Sequence, residues 1–234
     1  MTDDGVRLHA WLATPHRAGV AGGKLAPMLA DTVILYLHGN AGNVTHRYDS
    51  ITGLVTLPAR VFIVDWRGYG KSEGSPSEQG LYRDARAAWR YLIERKGVRP
   101  EQIVLLGESV GGAPALQLAT EVEPAGVILQ GAFTSLPDMA REQFPFVPRF
   151  MVRTRMDNIG KIARVSCPKL ILHAPADEVV PFAHGQRLFE AARPSKQFYV
   201  VEGAGHNDMD IVGGAAYLRT LGTFIAACRD GKDQ

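Results

Sequence analysis

One serine of this chain stands in a setting suited to nucleophilic catalysis. Ser109 is the centre of a Gly-Glu-Ser-Val-Gly run at residues 107–111, and an apolar run at 102–107 leads straight into it. Small residues follow from Gly111 to Ala115, as expected where a strand turns sharply into a helix. Such a turn lifts the serine hydroxyl out of the sheet, and the flanking glycines leave space where side chains would collide. The pattern predicts an activated nucleophile; the alternative is a structural turn whose serine does no chemistry.

A serine hydroxyl needs a neighbouring base to attack at neutral pH, and histidine is the usual one. The candidates are His9, His16, His38, His46, His173, His184 and His206. His206 lies in a glycine-containing loop at 203–207, directly after the last apolar run, and His173 closes an earlier run. Five of the seven fall on early strands, turns or helices, where packing or exposure explains them. The chain order serine, acid, histidine selects His206 as the general base, because His173 precedes the acid candidate.

Asp177 is the predicted acid, which would orient the histidine ring and stabilise it when protonated. It follows the apolar run at 170–174. A carboxylate just past the carboxyl end of a strand lies on the rim where the sites of α/β proteins form. Glu178 is the nearest competitor, whereas Asp208 and Asp210 come too late in the chain order. The alternative role for Asp177 is a surface ion pair.

Acyl transfer also requires two N–H groups that stabilise the oxyanion of the tetrahedral intermediate. One is expected from Val110, the residue after the nucleophile. The second is expected from the loop at 38–43, which has the sequence His-Gly-Asn-Ala-Gly-Asn and follows an early apolar run. Asn40 is the predicted donor, with Ala41 as the alternative because such motifs vary by one position.

The elements that must position these residues follow from the alternation of β-branched apolar runs with longer amphipathic segments. This pattern is typical of βα units around a mostly parallel sheet. Strands are expected as an opening pair near 6–13 and at 32–38, 60–65, 102–107, 126–130, 169–173 and 197–201. Helices are expected at 45–54, 77–95, 111–120, 182–192 and 215–228. We predict an α/β fold in a single domain over residues 1–234, with helices on both faces of the sheet.

The segment at 132–165 is the least regular part of the chain. It carries three prolines among aromatic residues and methionine, and so long an irregular connection is unusual unless it is functional. We interpret it as a small cap over the site. Phe144, Phe146 and Met151 are the candidate substrate-binding residues, and simple packing of the cap onto the core is the alternative.

The bulk composition excludes several classes of protein. A net charge of +2, with basic and acidic residues interspersed, gives no case for nucleic-acid binding. The two cysteines, Cys167 and Cys228, lack metal-ligand spacing and indicate buried thiols in a reducing compartment. No apolar stretch approaches the roughly 20 residues that span a bilayer, and the acidic start is unlike a signal peptide. The expectation is a cytoplasmic protein, with a missing natural leader or anchor left open.

Five motifs together carry a family resemblance. HGNAGN at 38–43, DWRGYGKSEGSPSEQGLYRDA at 65–85, GESVGG at 107–112, DEVVPF at 177–182 and GAGHND at 203–208 occur in order. In this combination the chain resembles the Bem-type α/β-hydrolase-domain-containing proteins, whose relatives include eukaryotic protein depalmitoylases. The resemblance covers residues 4–224 and implies the α/β-hydrolase fold, with Ser109, Asp177 and His206 at the triad positions. Ala174-Pro-Ala replaces the family's usual glycine-containing approach to the acid, and the anchoring or cysteine-rich leaders of some relatives are absent.

The resemblance implies a serine hydrolase with little or no lid that needs neither cofactor nor metal. Our leading hypothesis is an esterase that forms an acyl-enzyme on a small ester substrate. A thioesterase for long acyl chains, similar to the depalmitoylases, is the alternative within the same chemistry. A non-catalytic ligand receptor on the same fold is the alternative from another class. The acyl chain length, the physiological substrate and the oligomeric state stay open.

Overall fold

A seven-stranded sheet forms the centre of the protein. The computed structural model describes residues 1–15, 31–143 and 152–230. The strands are β1 (Ala10–Ala13), β2 (Val33–Leu37), β3 (Arg60–Val64), β4 (Ile103–Glu108), β5 (Gly126–Gln130), β6 (Lys169–His173) and β7 (Lys196–Val200). Their spatial order is β1-β3-β2-β4-β5-β6-β7, and only the pairing of β1 with β3 is antiparallel. This is the α/β fold with a mostly parallel sheet that the sequence predicts.

The four central strands are buried on both faces, which explains why their sequences are continuous apolar runs. Every residue of β2 and β5 is buried. Leu35, Leu105 and Leu129 belong to the core on one face, and Ile34 and Leu106 belong to the core on the other. Each buried leucine or isoleucine contributes about 1.5–3 kcal/mol relative to exposure. The double-sided core fixes the strand register and therefore the level at which each strand ends.

Helices cover both faces of this sheet. They are α1 (Tyr48–Leu54), α2 (Glu78–Arg90), α3 (Gly112–Ala119), α4 (Leu136–Gln143), α5 (Asn158–Ile162), α6 (Phe182–Ala191) and α7 (Met209–Asp230). A short 3-10 turn, Val44–Arg47, precedes α1, and a π-helical turn, Tyr91–Arg95, continues α2. Ser77 caps α2 by accepting a hydrogen bond from the Gly80 N–H at 3.1 Å, as serine does at helix starts.

The last helix differs most from its prediction. It begins at Met209 rather than near 215, and Gly214, with a φ of 47°, interrupts it. Glycine pairs weaken a helical pattern in sequence, so the first turns were not expected. By length and composition alone, Met209–Arg229 would also suffice to cross a membrane, against the expectation that no such stretch exists. Its Leu221 and Phe224 lie in the core.

The ends of the irregular segment at 132–165 are tied together and to the core. Thr134 O accepts hydrogen bonds from Asn158 N at 2.9 Å and Ile159 N at 3.0 Å, and Leu136 N donates to Arg155 O at 2.9 Å. Glu78 of α2 accepts bonds from the amides of Arg155 and Met156, at 2.8 and 3.0 Å. Phe144, Phe146 and Met151 lie outside the described residues, so their role in substrate binding stays a prediction, as does the single-domain assignment.

Candidate active site

Ser109 lies on the sharp turn between β4 and α3. Its φ is 51°, a left-handed conformation that costs a residue with a side chain of order 1 kcal/mol or more. The neighbouring backbone makes room for this turn only because residue 111 is glycine. A Cβ at Gly111 would lie 1.8 Å from the carbonyl oxygen of Leu37 on the adjacent strand. The structure therefore shows a strained strand–turn–helix junction of the kind that presents a nucleophile.

A chain of hydrogen bonds joins Ser109, His206 and Asp177. His206 Nε2 is 3.0 Å from Ser109 Oγ, and His206 Nδ1 is 2.8 Å from Asp177 Oδ2. An ionised carboxylate only accepts, so Nδ1 carries the proton and Nε2 presents its lone pair to the serine hydroxyl. The three predicted residues, from three separate loops at the carboxyl ends of β4, β6 and β7, thus meet in the geometry that a general base requires.

The surroundings of Asp177 keep its carboxylate ionised. Its side chain is fully buried, and Oδ1 accepts hydrogen bonds from the amides of Val179 at 3.0 Å and Val180 at 2.7 Å. Burial alone would raise the pKa of Asp177, but the N–H groups of His173, His206 and Val180 outweigh it and hold this pKa well below its usual range. The ordinary surface ion pair considered from the sequence does not describe this buried side chain.

The other nearby carboxylates hold the loop that carries His206. Glu178 accepts a hydrogen bond from the His206 N–H at 3.1 Å, and Asp208 accepts one from the Gly205 N–H at 2.7 Å. Asp210 accepts from the Ser50 hydroxyl at 2.6 Å. Glu178, Asp208 and Asp210, which compete with Asp177 in the sequence, therefore serve the backbone or a neighbouring helix. The contacts of Glu178 and Asp210 had no local sequence signal, because their partners lie far away in the sequence, whereas Asp208 bonds within its own loop.

The loop proposed to complete an oxyanion site lies against the nucleophile. A Cβ built on Gly39 would be 3.3 Å from Ser109 Cβ, so Asn40 follows at a point adjoining the serine. Ala41 and Gly42 both have positive φ, 63° and 69°, which bends the loop back. The Tyr69 hydroxyl donates a hydrogen bond to Asn40 Oδ1 at 2.6 Å, which ties the Asn40 side chain to Tyr69. The N–H groups of Asn40 and Val110 as oxyanion donors stay a prediction.

A buried polar cluster connects this loop with the serine turn. Glu108 Oε2 accepts hydrogen bonds from the Tyr36 hydroxyl at 2.6 Å and from Arg47 Nε at 2.9 Å. Burial, together with the charge of Glu108, raises the pKa of Tyr36 well above its usual range, so the phenol stays protonated and donates. Because Arg47 follows the 38–43 loop and Glu108 precedes Ser109, the cluster fixes the two relative to each other.

A second aspartate–histidine pair lies at the end of β3. His9 Nδ1 is 2.7 Å from Asp65 Oδ2, and Asp65 also accepts bonds from the amides of Val44 at 2.8 Å and Lys71 at 3.2 Å. The Asp65 side chain is 1% exposed and that of His9 is 25% exposed. This pair fastens the loop that begins at residue 65 to the chain before β1, in line with a structural role for that loop.

Neither metal ligands nor cavity size locates the site. Across the described ranges, no group of three or more His, Cys, Asp or Glu side chains could hold a metal ion. A cavity of about 640 Å³ lies at the other end of the sheet, where it is lined by both buried cysteines, Cys167 and Cys228, and by Lys169. The convergence of Ser109, His206 and Asp177 is the stronger indicator, because it joins a nucleophile to a base and an acid.

Comparison with known proteins identifies related sequences. The model of a family described as having the alpha/beta hydrolase fold matches residues 32–161. The chain is 38% identical over 198 residues to the human alpha/beta hydrolase domain-containing protein 17B, covering 84% of this chain and 67% of that protein. A Mycobacterium tuberculosis protein without a described function is 36% identical over 225 residues, 96% of this chain and 76% of its own length.

Solved structures share the fold at low sequence identity. An esterase of Pyrococcus furiosus superposes with a TM-score of 0.76 at 19% identity, covering 97% of this chain and 90% of its own. An esterase of Exiguobacterium antarcticum superposes with a TM-score of 0.70 at 18% identity, covering 96% and 97% of the two chains. At these identities the likeness shows a common fold.

Proposed function

Because this chain belongs to the α/β-hydrolase family, we propose that it is a serine hydrolase that cleaves carboxylic esters through an acyl-enzyme. The observation that carries the proposal is the continuous hydrogen-bond chain from Ser109 Oγ through His206 to Asp177. The esterases among the structural neighbours and the hydrolase family support the broader class. The serine mechanism and the ester substrate are the parts that the proposal adds.

In the first half-reaction His206 Nε2 takes the Ser109 proton as Oγ attacks the ester carbonyl carbon. The carbonyl oxygen becomes an oxyanion, which the N–H groups of Asn40 and Val110 stabilise. Collapse of this intermediate breaks the bond to the alcohol oxygen, and His206 donates the proton to the departing alkoxide. The products are a free alcohol and an acyl group bonded to Ser109.

In the second half-reaction water replaces the alcohol. His206 Nε2 takes a proton from the water as its oxygen attacks the acyl carbonyl, and the same proton returns to Ser109 Oγ when the acid leaves. Asp177 stays ionised throughout, because its low pKa keeps it a carboxylate beside the transient imidazolium. The substrate required is an ester whose carbonyl reaches the turn at Ser109.

The test is the initial rate on p-nitrophenyl esters from acetate to palmitate, with Ser109→Ala and Ser166→Ala measured alongside. Ser166 is exposed and lines the cavity at the other end of the sheet, so its variant is the matched control. We expect hydrolysis by the wild type and by Ser166→Ala, and none above background by Ser109→Ala. A fluorophosphonate probe should label wild-type Ser109 in a peptide map.

Activity that survives in folded Ser109→Ala would refute the nucleophile assignment. A rate that rises toward palmitate would move the substrate class to long acyl esters or thioesters. Folded wild-type protein that neither hydrolyses any ester nor reacts with the probe would overturn the proposed function, in favour of a ligand-binding protein on the same fold.

A further inference from the structure

A second histidine contacts the acid of the proposed site. His173, the last residue of β6, is fully buried, and its Nε2 lies 3.4 Å from Asp177 Oδ2, the oxygen that also pairs with His206. The closer contact of the same nitrogen is with Val180 O, at 2.9 Å. The residue therefore meets both ends of the turn that runs from Asp177 to Val180. The proposed mechanism gives His173 no task.

The contacts settle which ring nitrogen of His173 carries the proton. The Val180 carbonyl only accepts hydrogen bonds, so Nε2 must donate to it. Nδ1 has no hydrogen-bond partner among residues 1–15, 31–143 and 152–230, and it faces α6, where a Cβ on Gly185 would lie 2.5 Å away. A proton on that buried nitrogen would lack an acceptor, at a cost of about 1–3 kcal/mol. His173 is thus a neutral imidazole with its proton on Nε2.

We propose that His173 is a positioning residue for the acid: its Nε2–H closes the 177–180 turn onto β6 and shares Asp177 Oδ2 with His206. The inference rests on the proposed function, since it concerns how Asp177 is held for His206. The turn holds Asp177 Oδ1 through two amides, and His173 holds the carbonyl at the end of the same turn. The carboxylate is therefore fixed from both sides before a substrate arrives.

The shared oxygen also tunes the strength of the acid. The Nε2–H of His173 donates to Val180 O, and its positive end also lies 3.4 Å from Asp177 Oδ2, where it partly neutralises the carboxylate. Asp177 therefore stabilises a protonated His206 less than it would alone. The titratable groups around these rings are Asp177 between them, Glu178 on the amide of His206 and Asp208 on the amide of Gly205. Of these, Asp177 alone touches both rings. Without His173, Asp177 should stabilise the protonated His206 more strongly, so the acidic limb of kcat/KM should move to higher pH.

Two amide variants separate positioning from packing. In His173→Gln the side-chain NH2 reaches roughly the place of Nε2, whereas in His173→Asn it reaches only that of Nδ1. For His173→Asn we expect kcat to fall about tenfold, KM to change less than about twofold, and the acidic limb to rise by about half a pH unit. For His173→Gln we expect most of kcat to return and the limb to stay near the wild type.

His184→Asn is the matched control, since His184 is equally buried but bonds to Thr134 and Glu142, away from Asp177. It should lower thermal stability and leave the acidic limb in place. The concentration of active enzyme is determined by titrating Ser109 with the fluorophosphonate probe, so that unfolded protein does not lower the measured kcat. If kcat falls equally in the Asn and Gln variants and the acidic limb does not move, His173 is only a packing residue. If His173→Asn has the kcat and the acidic limb of the wild type, His173 has no role in positioning Asp177.

A measurement on the wild type covers the case in which the variants fail to fold. Long-range ¹H–¹⁵N spectra of ¹⁵N-histidine protein at pH 7 should show His173 with its proton on Nε2. A proton on Nδ1, or on both nitrogens, would overturn the proposal. If instead the wild type hydrolyses no ester and Ser109 escapes the probe, the proposed function itself fails, whatever tautomer His173 adopts.

Discussion

Among the residues that the structure describes, two buried aspartates each hold a histidine by its Nδ1, and the two pairs are almost alike in geometry. The distances are 2.7 Å for His9–Asp65 and 2.8 Å for His206–Asp177. Each aspartate lies just beyond the carboxyl end of a strand and accepts two backbone amides. The difference is at the other ring nitrogen, because only His206 Nε2 meets a serine hydroxyl. In this protein an aspartate–histidine pair can fix a loop by itself, and the proposed catalysis also requires the serine hydroxyl as a third group.

The largest difference between the pairs should follow removal of the histidines. His206→Ala removes the proposed base, and we expect kcat to fall by roughly 10⁴–10⁶-fold with the fold retained. His9→Ala removes only a loop fastening, with a loss of about 1–2 kcal/mol in unfolding free energy and kcat within about twofold. Ester hydrolysis and urea unfolding of both variants provide the comparison. Similar kcat losses in the two variants would mean that the pairs are not functionally distinct.

Asparagine substitution at the two aspartates sharpens the same contrast. In Asp177→Asn the amide oxygen stays with the Val179 and Val180 N–H groups, so the NH2 faces His206 and forces its proton onto Nε2. The ring then cannot accept the Ser109 proton, and kcat should fall by about 10³–10⁴-fold. Asp65→Asn should move the His9 proton to Nε2 in the same way, without harming chemistry.

For Asp65→Asn we therefore expect a loss of about 2–3 kcal/mol in unfolding free energy. The buried NH2 of the new asparagine would face a backbone N–H, of Val44 or Lys71, that also donates. Steady-state kinetics on the folded fraction, with denaturant unfolding of each variant, distinguishes the two effects. A kcat in Asp65→Asn as low as that in Asp177→Asn would show that the loop at residue 65 takes part in the reaction.

The smallest effect concerns stability in acid. The pKa of Asp177 is lowered in the folded protein, so below about pH 4 the unfolded chain binds a proton that the folded chain resists. The stability that Asp177 provides is complete above that value and is lost as the pH falls through the folded pKa. Relative to Asp177→Asn, the wild type should lose on the order of 1–3 kcal/mol more between pH 5 and pH 2. Parallel acid curves for the two proteins would contradict this assignment.

The sequence predicted the strands from β2 onward and the convergence of Ser109, Asp177 and His206, because both depend on local patterns. Of the opening pair expected near 6–13, the described residues form one strand, β1. Strands buried on both faces read as apolar runs, and each of the three residues directly follows such a run or its turn. The contact of Glu178 with His206 could not be predicted, since it depends on how two separate loops meet in space. The contacts of His173 with Asp177 and Val180 depend on the fold of the turn after β6, which the apolar pattern of the strand does not encode. Gly131 is a further example: a Cβ there would lie 3.2 Å from His206 Cε1, so its small size makes room for the ring.

The start of α7 was missed for a different reason. Its first turns run from Met209 into two glycines, Gly213 and Gly214, which in sequence indicate a break. The break is present at Gly214, whose φ of 47° and ψ of −130° are not helical, so the part of α7 after it matches the helix predicted at 215–228. The turns before it were not predicted, and the fully buried Met209 anchors them in the core.

The hydrogen bonds that join the two ends of the irregular segment also have a consequence for how this scaffold can diversify. Thr134 holds Asn158 and Ile159, and Glu78 holds Arg155 and Met156, so the base of the segment is fastened to itself and to the first residue of α2. Whatever chain connects residues 136 and 155 enters and leaves at the same fixed points. The positions of these two ends therefore do not depend on the sequence that joins them.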